Sequence, residues 1–577
     1  MDRNQLIGMT LISVMIILYA QITRPITKPT PPIRSAHVME TLPDNHEKAL
    51  VHTPPSVVSR NVTSPPPQRF TLENDCIQVV LSSQGGHVEQ VLLKKYKDHH
   101  GEQLVLLDKQ SSVMGFQLPT QGGQDLRTQD LRFEVEHFDP SSPYKVVFKL
   151  PLGPNQFVRN TFTLSTQGYT VDQAWEVQGF DDTPVRFAWH NFVKRAEEDL
   201  SASRSKTTLN YYLSDDTFKS LKISANKKVE QTLDQPLRWV GVKQRFFTAG
   251  VIAQDHFAHA RLYTVPATHS DATVKETYTQ LGLPEQVRAG RMTFYFGPNI
   301  PSILEDTAKG FGKNVSLGWP VVRWVNRFLI LPTFDFLAQH LPSHGLVIVV
   351  LVLSIKTLLL PLSYKSYLSM AKMRVLKPAL DHIREQHKDD LPKMQAAQMQ
   401  LYREMGVNPL SGCVPVLLQM PILLAMFNFL PNAIALRQKS FLWANDLSTY
   451  DALLHLPFSI PGYGSHVSLF TLLMTASTIV QARSSQQSTP SEGPMRALTY
   501  IMPLTFMMVL NSFPAALSLY YFVSNLVTFG QQYLIKKFVD EKDLQRRLEA
   551  HRNQQKTKKS FKFGERLSNW LRKDAKR

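Results

Sequence analysis

Five long apolar runs crowd the second half of the chain and constrain its fold more than any other feature. They lie at 345–362, 413–431, 467–482, 498–512 and 515–535. Inside a bilayer the backbone must satisfy its own hydrogen bonds, so such runs are expected as membrane helices. Pro415, Pro421 and Pro503 fall within them. Membrane helices tolerate proline where neighbours satisfy the freed carbonyls. Only Phe513 and Pro514 separate the last two runs, which makes them a tight hairpin. The first run contains Lys356. A lysine at a membrane-helix centre costs about 2.5–3.5 kcal/mol on insertion scales. It must snorkel, pair or face a wet cavity.

Charge sets the sidedness. The stretch 364–412 carries Lys365, Lys372, Arg374, Lys377, Arg384, Lys388, Lys393 and Arg403, and the tail 536–577 is denser still in Lys and Arg. The stretch 431–466 holds only Arg437 and Lys439. The positive-inside rule then puts 364–412 and the C-terminus in the cytoplasm. The formal net charge of +17 suits anionic lipid or the ribosome at that position; DNA is not an expected partner. Within 364–410, Met373, Leu376, Leu380 and Ile383 recur at helical spacing, as do Met394, Ala397, Leu401 and Met405. A turn at 387–392 joins them into a cytoplasmic helical hairpin. Pro378 kinks the first arm or starts a helix there. Met370, Met373, Met394, Met399 and Met405 suit adaptable contact with apolar segments, although such a hairpin also serves as a plain structural arm.

The N-terminal part reads differently. Residues 1–22 are expected to form a transmembrane signal anchor, with a cleaved signal peptide ending near Ala20 as the alternative. Residues 23–68 are a Pro-rich tether, including Pro31-Pro32 and Pro65-Pro66-Pro67. From 69 to 310, short β-branched and aromatic runs alternate with turn residues, at 78–81, 88–93, 132–138, 145–150, 158–164, 170–177 and 291–296. Gly85-Gly86, Gln121-Gly122-Gly123 and Asp181-Asp182 mark turns. This predicts an all-β sandwich outside the membrane, in the periplasm of a double-membrane bacterium. Residues 316–341 follow, with Trp319, Val322, Val325, Phe328 and Leu329 facing away from Arg323 and Arg327, as in an interfacial amphipathic helix. The predicted fold class is therefore a multi-domain membrane protein: a periplasmic all-β sandwich plus an α-helical core, six transmembrane helices in all.

Polar side chains gather on the inner halves of the apolar runs. Lys356 lies six residues before the inner end of its run and Gln419 six after the inner start of the next, each roughly 9 Å from the cytoplasmic surface. Tyr521, Ser524, Asn525, Thr528, Gln531 and Gln532 follow one helical face of the last run. Thr471, Thr475 and Thr478 do so in the third, and Asn428 lies deeper in the second. The outer halves, such as 346–353 and 423–427, are apolar. Converging faces give a polar pocket open inward and closed outward. The plainer alternative is interhelical glue, worth about 0.6 kcal/mol per residue.

No motif for bond chemistry appears. The two cysteines, Cys76 and Cys413, suggest neither a disulfide framework nor a metal site, and His256 and His259 lack supporting ligands. No catalytic residue, metal or cofactor is expected.

Four segments then resemble one family. They are Tyr367-Leu368-Ser369-Met370-Ala371-Lys372-Met373-Arg374, Val407-Asn408-Pro409-Leu410-Ser411-Gly412-Cys413, Gln419-Met420-Pro421-Ile422 and Leu519-Tyr520-Tyr521-Phe522-Val523-Ser524-Asn525-Leu526. Together they resemble the YidC membrane protein insertases of the YidC/Oxa/Alb family, and the N-terminal layout is similar to the long Gram-negative form. The resemblance implies five core helices around a hydrophilic groove, open to the cytoplasm and lipid and sealed toward the periplasm. It implies a hairpin that receives nascent membrane proteins, inner-membrane location, and work alone or beside the Sec translocon. It also implies arginine at position 356, where this chain has lysine, which keeps the charge and loses the planar fork. The expected groove residues are Lys356, Gln419, Asn428, Thr475, Thr478, Tyr521, Ser524, Asn525 and Thr528. A basic tail that meets ribosomal RNA or lipid completes the expectation. The rivals are a transporter and an assembly scaffold, each with a ligand-binding β-domain.

Overall fold

The computed structural model describes residues 66–550 apart from 120–124, 143, 181–183, 222–226, 268–269, 285–286, 389, 409–413, 461–462, 487–493, 540–542 and 549. The expected anchor at 1–22, the tether up to 65, the turns at 121–123 and 181–182, Cys413 and the tail beyond 550 lie outside the described residues. The chain divides into two compact units, Met1–Asn314 and Val315–Arg577.

The first unit is antiparallel β, as the alternation predicts. Among the described residues it holds a nine-stranded, a six-stranded and a four-stranded sheet. Strand Gln156–Leu164 shows why: Val158, Phe162 and Leu164 are buried while Thr163 is exposed. Its neighbour Thr170–Gln178 buries Val171, Trp175 and Val177 in register with it. The nine- and six-stranded sheets meet through aromatic side chains. Phe116 touches Trp175 at 5.7 Å between ring centroids, and Trp189 meets Phe294 and Phe296 at 6.2 and 6.3 Å. Gly85 and Gly86 turn the chain with φ of 79° and 56°, conformations that favour glycine.

The second unit is helical. Its helices are α1 (Pro320–Val325), α2 (Leu331–His340), α3 (His344–Leu358), α4 (Leu360–Val375), α5 (Lys377–Gln386), α6 (Leu391–Glu404), α7 (Val414–Phe429), α8 (Leu469–Gln486), α9 (Pro494–Leu510) and α10 (Ala515–Phe538). A π turn, Asn326–Ile330, joins α1 to α2. Val322, Val325, Ile330 and Phe334 pack with Ile348 and Leu351 of α3, Met426 of α7, Phe470 of α8 and Leu519 of α10. The single apolar face expected at 316–341 is thus two faces. Val322 and Val325 enter the core, whereas Trp319, Trp324, Phe328 and Phe336 are exposed. A stretch that both packs and presents aromatic rings needs apolar residues on two sides.

Helices α3 and α4 meet at a 62° bend, and as a pair they are long and apolar enough to cross a membrane. Among the described residues no single helix meets that requirement alone. Pro378 sits in the first turn of α5, so it starts a helix rather than kinking one. Asp390 caps α6 by accepting from the Lys393 amide at 3.1 Å. Leu376, Leu380, Leu401, Met405 and Val407 form the core of the α5–α6 hairpin, and Leu548 joins them from beyond α10.

One buried cation in the first unit gives a prediction. Lys275 is 4% exposed and donates to the Thr207 carbonyl. Burial pushes its ammonium down to about 8, against about 10.4 for an unfolded chain. Below pH 8 both states hold the proton, and the native state carries the full desolvation penalty. Between about pH 8 and 10.4 the unfolded state binds more protons, so this group makes stability rise with pH. Denaturant titration of the wild type and of Lys275→Met should show a gap that changes by on the order of 3 kcal/mol across that window. A pH-independent gap contradicts the assignment.

Candidate functional site

Three helices bring polar groups together. Helix α10 packs between α8 and α3. It can do so because Ser518, Asn525 and Thr528 recur at seven and three residues along it, keeping small polar groups on neighbouring faces.

At the N-terminal end of α10 the groups form a closed knot. Ser518 and Thr471 share a hydrogen bond of 3.0 Å between hydroxyls, and the Thr471 and Ser468 hydroxyls lie 2.9 Å apart. Asn511 Oδ1 accepts from the Ser468 amide at 3.0 Å. The Asp451 carboxylate accepts from Ser468, from the Phe470 amide at 2.8 Å and from the Trp443 indole at 2.8 Å. Asp451, Ser468, Thr471, Asn511 and Ser518 are all buried.

Midway along, the Asn525 amide donates to Ser477 at 2.9 Å and to Thr478 at 3.0 Å. Both hydroxyls in turn donate to the Met474 carbonyl. Further on, Lys356 Nζ donates to Thr528 Oγ1 at 3.0 Å, and Thr528 donates to the Ser524 carbonyl at 2.7 Å. Gln531 binds the Lys356 carbonyl at 3.0 Å, close to the α3–α4 bend. Lys356 is 9% exposed, so its ammonium points into the unit and not outward. Among the described residues no carboxylate pairs with it. A buried cation whose side-chain partner is one hydroxyl is under-compensated, by several kcal/mol for an isolated ion.

The other expected groove residues are placed less uniformly. Thr475 is buried and spends its hydroxyl on the Thr471 carbonyl. The Tyr521 ring meets Phe427 at 5.5 Å. Gln419 is half-buried on α7. Asn428 lies nine residues further along α7, about 13.5 Å away, beside Gly318, with Oδ1 buried and without a hydrogen-bond partner. On α6, Met399 is exposed and Met394 half-buried, while Met370 is half-buried on α4 against the cluster of Tyr367, Ala371, Ile535 and Leu544. Met405 is buried in the hairpin core and Met373 packs against it, which corrects the expectation that all five methionines are presented for contact. Residue spacing alone misses Asp451, Ser468, Ser477, Asn511 and Ser518. For Ser518 a signal existed: it stands seven residues before Asn525 on one face.

Comparison with known proteins covers both units. Residues 69–331 match the YidC periplasmic domain, and residues 336–542 match the 60Kd inner membrane protein family. The membrane protein insertase YidC of Amoebophilus asiaticus is 47% identical, spanning 100% of this chain and 99% of that protein. Its counterpart from Cytophaga hutchinsonii is 40% identical over 96% of this chain and 93% of that protein. The one from Parabacteroides distasonis is 32% identical over 97% and 96%.

The geometry separates structural from chemical roles. Asn525→Leu removes two interhelical hydrogen bonds and should destabilise the helical unit by about 1 kcal/mol. Lys356→Met leaves Thr528 bonded to Ser524 and should be neutral or stabilising. Unfolding titrations in mixed detergent micelles check both. A loss of several kcal/mol for Lys356→Met would make this lysine a structural pin.

Proposed function

The chain belongs to the YidC family of membrane protein insertases, inner membrane proteins with a periplasmic domain and not enzymes, and we propose that it inserts and folds nascent membrane proteins through the polar groups around Lys356. The observation that carries this reading is the buried, carboxylate-free ammonium of Lys356 held on Thr528. Such a charge is an attractor for an acidic group brought into the membrane.

In this reading a client segment with a short polar or acidic tail enters from the cytoplasmic side. The hairpin meets it first, through Met399 and the half-buried Met394, with Met370 of α4 behind them. Lys356 draws acidic groups in, and Gln419, Ser524 and Thr528 replace water that the tail has lost. The tail then has only the outer half of the membrane to cross. The transmembrane potential helps acidic tails outward by about 2.3 kcal/mol per charge per 100 mV. The closed knot of Asp451, Ser468, Thr471, Asn511 and Ser518 serves as the outer seal, which a transporter would have to open.

The finer parts of the reading rest on charge and on the resemblance. Both termini lie in the cytoplasm, the first unit hangs from the anchor at 1–22, and the groove opens to the cytoplasm and to lipid. The protein works alone or beside the Sec translocon. The tail 536–577 meets the ribosome or anionic lipid.

Reconstitution tests the core of it. The purified chain in liposomes should insert a single-span substrate with an acidic tail, scored by protease protection. Lys356→Met should lower the yield about tenfold for acidic tails and little for neutral ones, and Lys356→Arg should restore it. Equal insertion of all substrates by Lys356→Met would remove the charge attraction. Separately, deleting 556–577 should reduce co-sedimentation with ribosomes at low salt, and unchanged co-sedimentation would leave lipid as the tail's partner.

A further inference from the structure

The segment between α7 and α8 holds a β-hairpin, Ala452–Ile460 paired with Gly464–Ser468. The second strand is clamped to the end of α9. The Asn511 side chain donates to the carbonyls of Tyr463 at 3.0 Å and His466 at 2.7 Å, and accepts from the Ser468 amide. The His466 ring bonds the Asn511 carbonyl at 2.8 Å and stacks on Tyr450. The first strand is left as the outer edge.

That outer strand has unusual chemistry. Leu453, Leu454 and Phe458 are 59%, 57% and 60% exposed. Leu453 is the extra residue of a bulge between Ala452 and Leu454, and both leucines are bare. The whole segment 452–468 contains no Asp, Glu, Lys or Arg. Nearby, Leu442 is 69% exposed and sits at φ 54°, an uncommon backbone conformation for a leucine.

Three environments can be weighed. Open water disfavours a long apolar edge, which would associate with others of its kind. The hydrocarbon centre excludes an open edge, because its backbone groups have no partner there. The headgroup–acyl boundary suits both needs: water and headgroups reach the backbone while Leu and Phe enter the acyl chains. An added peptide strand is a poor fit, since Pro457 lacks an N–H and the register breaks between His455 and Ile460. The helix that follows the hairpin in the chain, α8, also exposes apolar side chains, Leu472 and Val480.

We propose that this hairpin is a membrane-surface anchor whose Leu453, Leu454 and Phe458 enter the outer leaflet of the bilayer. The proposal rests on reading α8 and α9 as membrane helices. Its partner is lipid acyl chain, with no headgroup charge selected. The polar clamp on Asn511 fixes the ends of α8 and α9 to that surface.

The test uses the full chain with Cys76→Ser and Cys413→Ser, in phosphatidylcholine–phosphatidylglycerol vesicles. Phe458→Cys, Leu454→Cys and Val480→Cys are labelled one at a time with an environment-sensitive fluorophore. Labels at 454 and 458 should be quenched at least twofold more by lipids carrying a nitroxide at acyl carbon 5 than at carbon 12, and little by aqueous iodide. Quenching of 480 by lipid, with 454 and 458 open to iodide, overturns the anchor and leaves the membrane helices standing. Labels at 454 and 458 shielded from both quenchers place a protein on the hairpin and also overturn it. No lipid quenching at 480 overturns the helix reading itself, and the anchor with it.

Discussion

The helical unit depends on where one positive charge is held. Lys356 sits on the last turn of α3, nearly buried, and its ammonium rests on a threonine hydroxyl of α10. No carboxylate among the described residues neutralises it. A pair with Asp or Glu would be the quieter arrangement for stability alone. The neighbouring groups are neutral and hydrogen-bonded to backbone. They hold the helices at a fixed spacing without cancelling the charge.

Two ends of α10 then behave differently. At its N-terminal end the polar side chains consume one another, and Asp451 has three donors. Near Lys356 the hydrogen bonds run from side chain to backbone or singly between helices. A saturated knot is rigid and shut, while a sparsely bonded region can accept new partners. This contrast supports the proposed inward opening and outward seal more than any single residue does. The hairpin fits the same pattern. Its core closes on Met405 and Leu548, so a segment beyond α10 helps hold the arm together.

Legibility in the sequence followed local physics. Strand 156–164 and its neighbour show plain alternation because one face is buried, and the β class is readable from them. Strand Phe247–Phe257 is not, since it runs through the middle of the large sheet and carries Ala249 and Gly250. A side chain at Gly250 would come within 3.0 Å of the Phe311 ring, which packs over that strand from far along the chain. Helix periods were readable, and with them the faces of Asn525, Thr528 and Thr478. What those faces meet was not. The pairing of Lys356 with Thr528 spans 172 residues. The placement of Asn428 beside Gly318 likewise depends on how α7 packs against α1. Methionine spacing gave the hairpin faces but not which face turns inward, and so Met405 was misread as surface.

The central claim is that the space around Lys356 is wet and reachable from one side only. A cysteine in place of Ser524, in a chain with Cys76 and Cys413 replaced by serine, reports on this directly. A membrane-impermeant maleimide should label it in inverted inner-membrane vesicles and not in right-side-out spheroplasts. Labelling from the outer side, or none from either side in a folded chain, would contradict the account.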